Sequence, residues 1–261
     1  MRGVRDELRY EPVERRVRAG GVVDSTRAVL VWEPRRVVPT YAVPEGDIAA
    51  ELSPAPSGDG EPAGVLHPGI PFAVHTAAGE PLTIGEREGA GFRFADETLA
   101  GYVELDFNAF DDWLEEDEPI EGHPRDPYHR VDVRQTARSV RIELAGDVVA
   151  ESTRARLLFE TNLPTRFYLP REDVRAELHP SDRRTYCPYK GRASYWSVDA
   201  GGRRRPDVAW SYEEPLPDMT QLAGLVAFWN ERVDVFLDGE PRSRPSGAIA
   251  DALRDEFKVR D

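Results

Sequence analysis

The chain has 261 residues, enough for one large domain or two of ordinary size, and about 40% of them are hydrophobic, as in folded rather than disordered chains. A formal charge of −14 disfavours non-specific binding to nucleic acid or to anionic membranes. No apolar run approaches the roughly 20 residues that span a bilayer, no apolar secretory segment follows the N-terminal MRGVRDELRYEPVERRVR, and the single cysteine, Cys187, excludes an internal disulfide and a CxxC zinc pattern. A reducing cytoplasm is the expected location.

In chain order, the first recognisable element is Ser25-Thr26-Arg27-Ala28, followed by the strand-like run VLVWE at 29–33. PTYAVPEGDIAAEL (39–52), LAGYV (99–103) and FDDWLEEDEP (110–119) come next. The acids of this last stretch read as a solvated strand edge. EGHPRDPYHR, 121–130, is rich in Pro and polar residues and reads as a linker. VRIEL (140–144) alternates apolar and charged residues with the period of a half-buried strand. AGDVV (145–149) supplies a hairpin turn through Gly146 and Asp147. RASYWSV (192–198) reads as an aromatic strand running into a turn at DAGG (199–202), with Arg203 to Arg205 at an exposed hairpin tip. MTQLAGLVAF (219–228) reads as a short helix capped by Asp218, and RVDVFLD (232–238) as another strand. SGAIADALRDEFKVR, near the C-terminus, is a second helix candidate with Ser246 as its cap.

These elements repeat. STRA recurs at 152–155 before RLLFE (156–160). PTRFYLPREDVRAEL (164–178), LAGLV (222–226) and VDVFLDGEP (233–241) then follow in the same order, with offsets that drift only from about 127 to 122. The expectation is a tandem duplication: copy one at 13–119, a linker at 120–131, copy two at 132–241, and a tail at 242–261. Many short strands with Gly and Pro turns predict a mainly β protein. It consists of two tandem antiparallel β-barrel or β-sandwich-like modules with a short helix each. Arg27 and Arg154, present in both copies, predict an ion pair inside each module.

One stretch is not repeated. TYCPYKGRASYW, 185–196, holds the only cysteine and one of only two lysines in the chain. A tight turn from Cys187 to Lys190 would bring their Cα atoms within about 7 Å. The ammonium can then favour a thiolate or hold a ligand anion as a point charge. Cys187 and Lys190 are therefore the candidate catalytic pair. Arg166, Tyr168, Tyr186, Tyr195, Trp210 and Tyr212 are candidate ligand-binding residues, an arginine for an anion and aromatics for apolar walls with polar tips. The plainer readings stand beside these: Cys187 as a small buried hydrophobe, Lys190 as an exposed turn lysine, Arg166 as an exposed strand arginine, and the aromatics, Trp196 and Phe228 above all, as core. His123, Asp126, His129 and Asp132 have metal-ligand chemistry, but their loose spacing reads as a solvated connector. No metal site and no cofactor is assigned.

These residues resemble a bacterial family, the domain of unknown function 427. The resemblance rests on Thr185, Cys187-Pro188-Tyr189-Lys190-Gly191, Tyr195-Trp196, Ala209-Trp210-Ser211-Tyr212, Val226-Ala227-Phe228-Trp229 and Phe167-Tyr168-Leu169-Pro170. Copy one lacks the Cys-Pro-aromatic-Lys-Gly run. Its counterpart around LHPGIPFAVHTAAGEP (66–81) has neither Cys nor Lys, and it reads as a degenerate copy that covers the site or forms a homodimer. The resemblance implies a mainly β fold and no settled activity. A nucleotidyltransferase label attached to the family would need a Gly-Ser turn before paired acids. Glu104-Leu105-Asp106 has the acid spacing without that turn. The functional expectation is a protein that binds or modifies a small polar or anionic metabolite in a pocket of copy two. The alternative is a non-catalytic interaction module in which the motif is only a turn.

Overall fold

The computed structural model describes residues 6–58 and 64–257. The chain divides into two compact units at Asp126 and Pro127. Each unit contains a seven-stranded and a four-stranded antiparallel sheet. In the first unit the large sheet runs in the order Arg9–Pro12, Val29–Trp32, Thr40–Pro44, Tyr102–Leu105, Arg87–Phe94, Gly79–Ile84, Leu52–Pro54. In the second it runs Val131–Gln135, Arg156–Glu160, Arg166–Leu169, Val226–Phe228, Arg203–Ser211, Gly191–Ala200, Leu178–Cys187. The small sheets also agree: Val23–Ser25, Val17–Ala19, Trp113–Glu115 and Glu118–Pro119 in one, Asp147–Ser152, Val140–Leu144, Asp234–Leu237 and Glu240–Arg242 in the other. The protein is thus mainly β, with two halves of one topology.

Strand alternation builds the core. In the second unit Phe167 and Leu169 face one side of the large sheet and join Val140, Ile142 and Leu144 of the small sheet in an apolar cluster. Tyr168 faces the other side, where Leu158, Tyr195, Trp210, Tyr212, Leu222, Ala227 and Trp229 form a separate, aromatic cluster. The first unit repeats this division, with Val43 and Leu105 toward the small sheet and Val31, Ala42, Phe92 and Phe94 on the opposite face. Burying both faces of the large sheet explains runs such as VLVW, which are apolar at every position.

A local motif marks the equivalence of the halves. Ser25 Oγ donates to Asp47 Oδ2 at 2.6 Å, and Arg27 pairs with the other oxygen of Asp47. Ser152 Oγ donates to Asp173 at 2.6 Å, and Arg154 donates to the same carboxylate at 2.8 Å. The arginine ion pair expected in each module is present, but not inside it. Both guanidinium side chains are more than half exposed, and the pair ties a strand end to the 3-10 turn at Glu45–Asp47 or Arg171–Asp173.

The helices depart from expectation. The segment expected to be helical over 219–228 is a 3-10 helix at Pro217–Leu222. The chain enters the strand Val226–Phe228 after Gly224, whose φ of 68° ends the turn. Its counterpart is the single 3-10 turn Glu97–Leu99, where the Asp96 side chain accepts from Thr98 N. The sole α-helix among the described residues is Ala248–Glu256, capped by Gly247 at φ 96° rather than by Ser246. The expected continuation of this helix through Lys258 lies outside the described residues. No described helix is long and apolar enough to cross a membrane.

Because each unit owns its sheets and its apolar clusters, residues 127–261 expressed alone should give a strand-type circular dichroism spectrum and a cooperative thermal transition. A non-cooperative melt would show that the unit is not self-sufficient.

Candidate functional site

The unrepeated motif forms a hairpin tip. Leu178–Cys187 and Gly191–Ala200 pair up to Cys187 and Gly191, and Lys190 N donates to Cys187 O at 3.1 Å to close the turn. Gly191 has φ of 100°, and a Cβ there would meet Leu216 N at 3.3 Å, so the position demands glycine. Lys190 Nζ turns inward and donates to both carboxylate oxygens of Glu160 at 2.6 Å. Only 9% of the Lys190 side chain and 6% of the Glu160 side chain reach solvent, so this is not an exposed turn lysine. His129 completes the group: its Nε2 lies 2.9 Å from Glu160 Oε1, and its ring stacks on Tyr189 with centroids 4.5 Å apart. The connector therefore supplies a residue to the cluster. The other potential ligands of that stretch scatter, Asp126 accepting from Trp32 Nε1 and Asp132 pairing with Arg130.

The electrostatics follow from burial and pairing. Burial pushes the Glu160 carboxyl upward, but Lys190 and His129 outweigh it and bring its pKa down to about 2. Burial lowers the Lys190 pKa, but Glu160, with the nearby Cys187 and Tyr168, outweighs this and holds it above the ordinary lysine value. Burial pushes the Tyr168 and Tyr212 hydroxyls up, and Tyr212 also feels Tyr168, Cys187 and Glu160. Lys190 is therefore an ammonium, a fixed point charge rather than a nucleophile or base, and Glu160 neutralises most of its field.

The candidate residues do not all share this cluster. Cys187, Lys190, Tyr168 and Tyr212 converge on it. Trp210 is attached through its Nε1, which donates to the Tyr168 hydroxyl at 3.1 Å. Tyr195 belongs to the same aromatic face, but its hydroxyl pairs with Thr185 Oγ1 at 3.0 Å and Arg183 covers its ring. Tyr186 sits half-buried with Arg192 over its ring. Arg166 is neither exposed nor turned to the Lys190 turn. It makes two bonds to Glu231, at 2.7 and 2.9 Å, with Trp210 and Trp229 against the guanidinium. Phe228 is core at 1% exposure, while Trp196 is half-buried under Arg171. Cys187 is partly accessible.

Reading from the residues alone missed a second charged cluster, in the first unit. Glu33 closes the strand-like run VLVWE as Glu160 closes RLLFE, and Glu33 is fully buried. Its Oε2 accepts from Thr76 N at 2.7 Å and Ala77 N at 2.8 Å; its Oε1 lies 2.9 Å from His75 Nδ1 and 3.5 Å from Arg36 Nε. His75 is thus the cationic-capable partner where the second unit uses Lys190, and it comes from the segment that replaces the hairpin. A second acid joins it. Glu104 pairs with Ala42 in the ladder, as Ala227 pairs with Tyr168, so a carboxylate stands where the second unit has a methyl group. Burial, then the charge of Glu33, drives the Glu104 pKa well above the carboxylate range. For Glu33, burial acts upward, but His75, Arg36 and the Ala77 amide prevail and hold it below its ordinary value.

Taken together, the fold and the cluster define a protein with two mainly β units, each holding a buried acid against a basic side chain. Residues 132–239, which lie within the second unit, match the family described as a domain of unknown function, DUF427. Comparison with curated proteins gives no match.

The Glu160 shift has a sign that can be tested. Its carboxyl titrates near 4.5 when unfolded and near 2 when folded, so its contribution is complete above pH 4.5 and is lost as pH falls toward 2. Glu160→Gln should flatten the acid limb of the stability curve in that window. At neutral pH it should cost about 3–5 kcal/mol, because it strands the buried ammonium. Chemical denaturation of both proteins across this pH range measures the effect. An unchanged acid limb would contradict the pairing.

Proposed function

We propose that the second unit binds or modifies a small polar or anionic metabolite beside the Cys187–Gly191 turn. The observation that carries this reading is the meeting of a buried charged group, Lys190 and Glu160, with partly accessible His129, Tyr189 and Cys187 at the same turn. Polar groups converging on one aromatic-walled face are the usual make-up of a small-molecule site. In this reading His129 and Tyr189 contact the ligand, and Cys187 is either a nucleophile or a wall. Lys190 orients the ligand through the Glu160–His129 chain. Tyr168, Tyr212 and Trp210 form the wall behind it, while Tyr186 and Tyr195 flank the hairpin. Arg166 acts only indirectly, by fixing Trp210 and Trp229. The site requires neither nucleic acid nor membrane, in keeping with the charge of −14, and a cytoplasmic homodimer remains part of the proposal.

A second reading has its own support. Lys190 and Arg166 each give two hydrogen bonds to one buried carboxylate. Such pairs also serve to specify a fold, so the motif can be a structural clamp in a non-catalytic interaction module.

Native mass spectrometry of the purified full chain separates the two. The ligand reading predicts a bound small molecule on the wild type that is lost in His129→Ala and Cys187→Ala, while both variants keep the wild-type circular dichroism spectrum. Variants that retain the same bound mass, or a wild type that carries none after incubation with a cytoplasmic metabolite extract, favour the clamp.

A further inference from the structure

From the first unit we infer a binding site for a divalent transition-metal ion, with Glu33, His75 and Glu104 as ligands. The sequence alone assigned no metal, and this site is independent of the one proposed in the second unit. The three side chains offer donor atoms that all lie within 4.8 Å of one another. Zinc bonds to nitrogen and oxygen are about 2.0–2.2 Å, so neighbouring donors around one ion stand roughly 3 to 3.5 Å apart. His75 Nδ1 is already 2.9 Å from Glu33 Oε1 and 3.8 Å from Glu104 Oε2, so only side-chain adjustments of less than about 1 Å separate these contacts from ligation.

The hydrogen bonds divide each carboxylate into an anchored and an offered oxygen. Glu33 Oε2 is held by the amides of Thr76 and Ala77, leaving Oε1 toward His75. Glu104 Oε1 accepts from the Thr40 hydroxyl, while its Oε2 is buried, has no hydrogen-bond partner and faces His75. Glu104 is fully buried, and a buried acceptor with no donor is costly unless something positive meets it. The imidazole is positioned too: it stacks on Phe92 at 3.7 Å and meets Phe72 edge-on at 4.8 Å. The anchored carboxylate oxygens are the outer-shell support that ligands of a metal usually have, while the ring is held by stacking alone, its Nε2 being buried without a hydrogen-bond partner.

Donor chemistry points the same way. Two carboxylate oxygens and one imidazole nitrogen suit zinc or a neighbouring first-row ion, whereas magnesium prefers oxygen donors and keeps its waters. The second unit lacks this arrangement: Ala227 stands at the ladder position of the second acid, and Lys190 Nζ contacts Glu160 directly.

The test uses the full chain stripped with a chelator, titrated with Zn2+ and separately with Mg2+ in a calorimeter. Expected are one equivalent of tightly bound Zn2+, no Mg2+ binding at the same concentration, and a zinc X-ray absorption spectrum with only nitrogen and oxygen neighbours. Glu104→Gln keeps the shape and the Thr40 contact, and should weaken Zn2+ at least tenfold. His179→Ala, which breaks the exposed Glu177, His179 and Asp199 cluster of the second unit, should leave that affinity unchanged. The inference is overturned by the absence of Zn2+ binding, by equal Mg2+ binding, by sulfur in the first shell, or by Zn2+ affinity that depends on His179 and not on Glu104. A wild-type melting curve for Glu104→Gln guards against misfolding. If that variant unfolds, His75→Gln takes its place with the same expected loss.

Discussion

A carboxylate buried at the end of a strand is the constraint around which each unit is organised. Glu33 follows the fully buried run VLVW and Glu160 the run RLLF, in which Leu158 is buried and Phe159 exposed, and neither acid can stay ionised in its buried place without a positive partner. In the second unit the partner is the ammonium of Lys190, delivered by a hairpin whose turn needs Pro188 and Gly191. In the first it is His75 with Arg36, delivered by a longer segment without a hairpin. The same problem, met twice on one topology, has received two chemical solutions. Lys190 stands near the Tyr168 and Tyr212 hydroxyls and gives Glu160 a compact point charge.

The halves agree where the backbone must be held and differ where side chains carry charge. The Ser-Arg-Asp clamp is the same in both, down to the hydroxyl bond of 2.6 Å. It acts on a surface strand end and is indifferent to what lies across the sheet. The face away from the small sheet has diverged: tyrosines, tryptophans and two buried ion pairs in the second unit, phenylalanines and two buried acids in the first. Residues 132–239 match the family of unknown function and include Glu160 and Lys190 but not His129, which lies just before the matched segment.

Much of the fold was legible in the residues because its signals are local. The alternation of VRIEL, the glycine turns and the ordered repeats each depend on a few consecutive positions, and strands and topology follow them. The helix expected at 219–228 was overextended because LAGLVAF is apolar throughout, and its last residues enter a strand buried on both faces. The site was only half legible. Pro188 and Gly191 announced the turn and Lys190 its charge, but Glu160 lies 30 positions away and Arg166 meets Glu231 across 65. One signal was present and went unused: both repeats of the strand-like run, VLVWE and RLLFE, end in the same glutamate. His75 carried no sequence signal and His129 only that of a loosely spaced connector histidine, since what selects them is a neighbour supplied by the fold.

Scarcity of lysine makes the central claim open to direct observation. The chain has two lysines, Lys190 and Lys258, so a nitrogen-15 spectrum of the lysine side chains of the full chain should contain at most two ammonium signals. The account predicts one slowly exchanging ammonium resonance that persists well above neutral pH, where exposed lysine protons exchange too fast to be seen, and that vanishes in Lys190→Met. Absence of any protected ammonium in the folded protein would show that Lys190 is not a buried cation held by Glu160, and would contradict the account at its base.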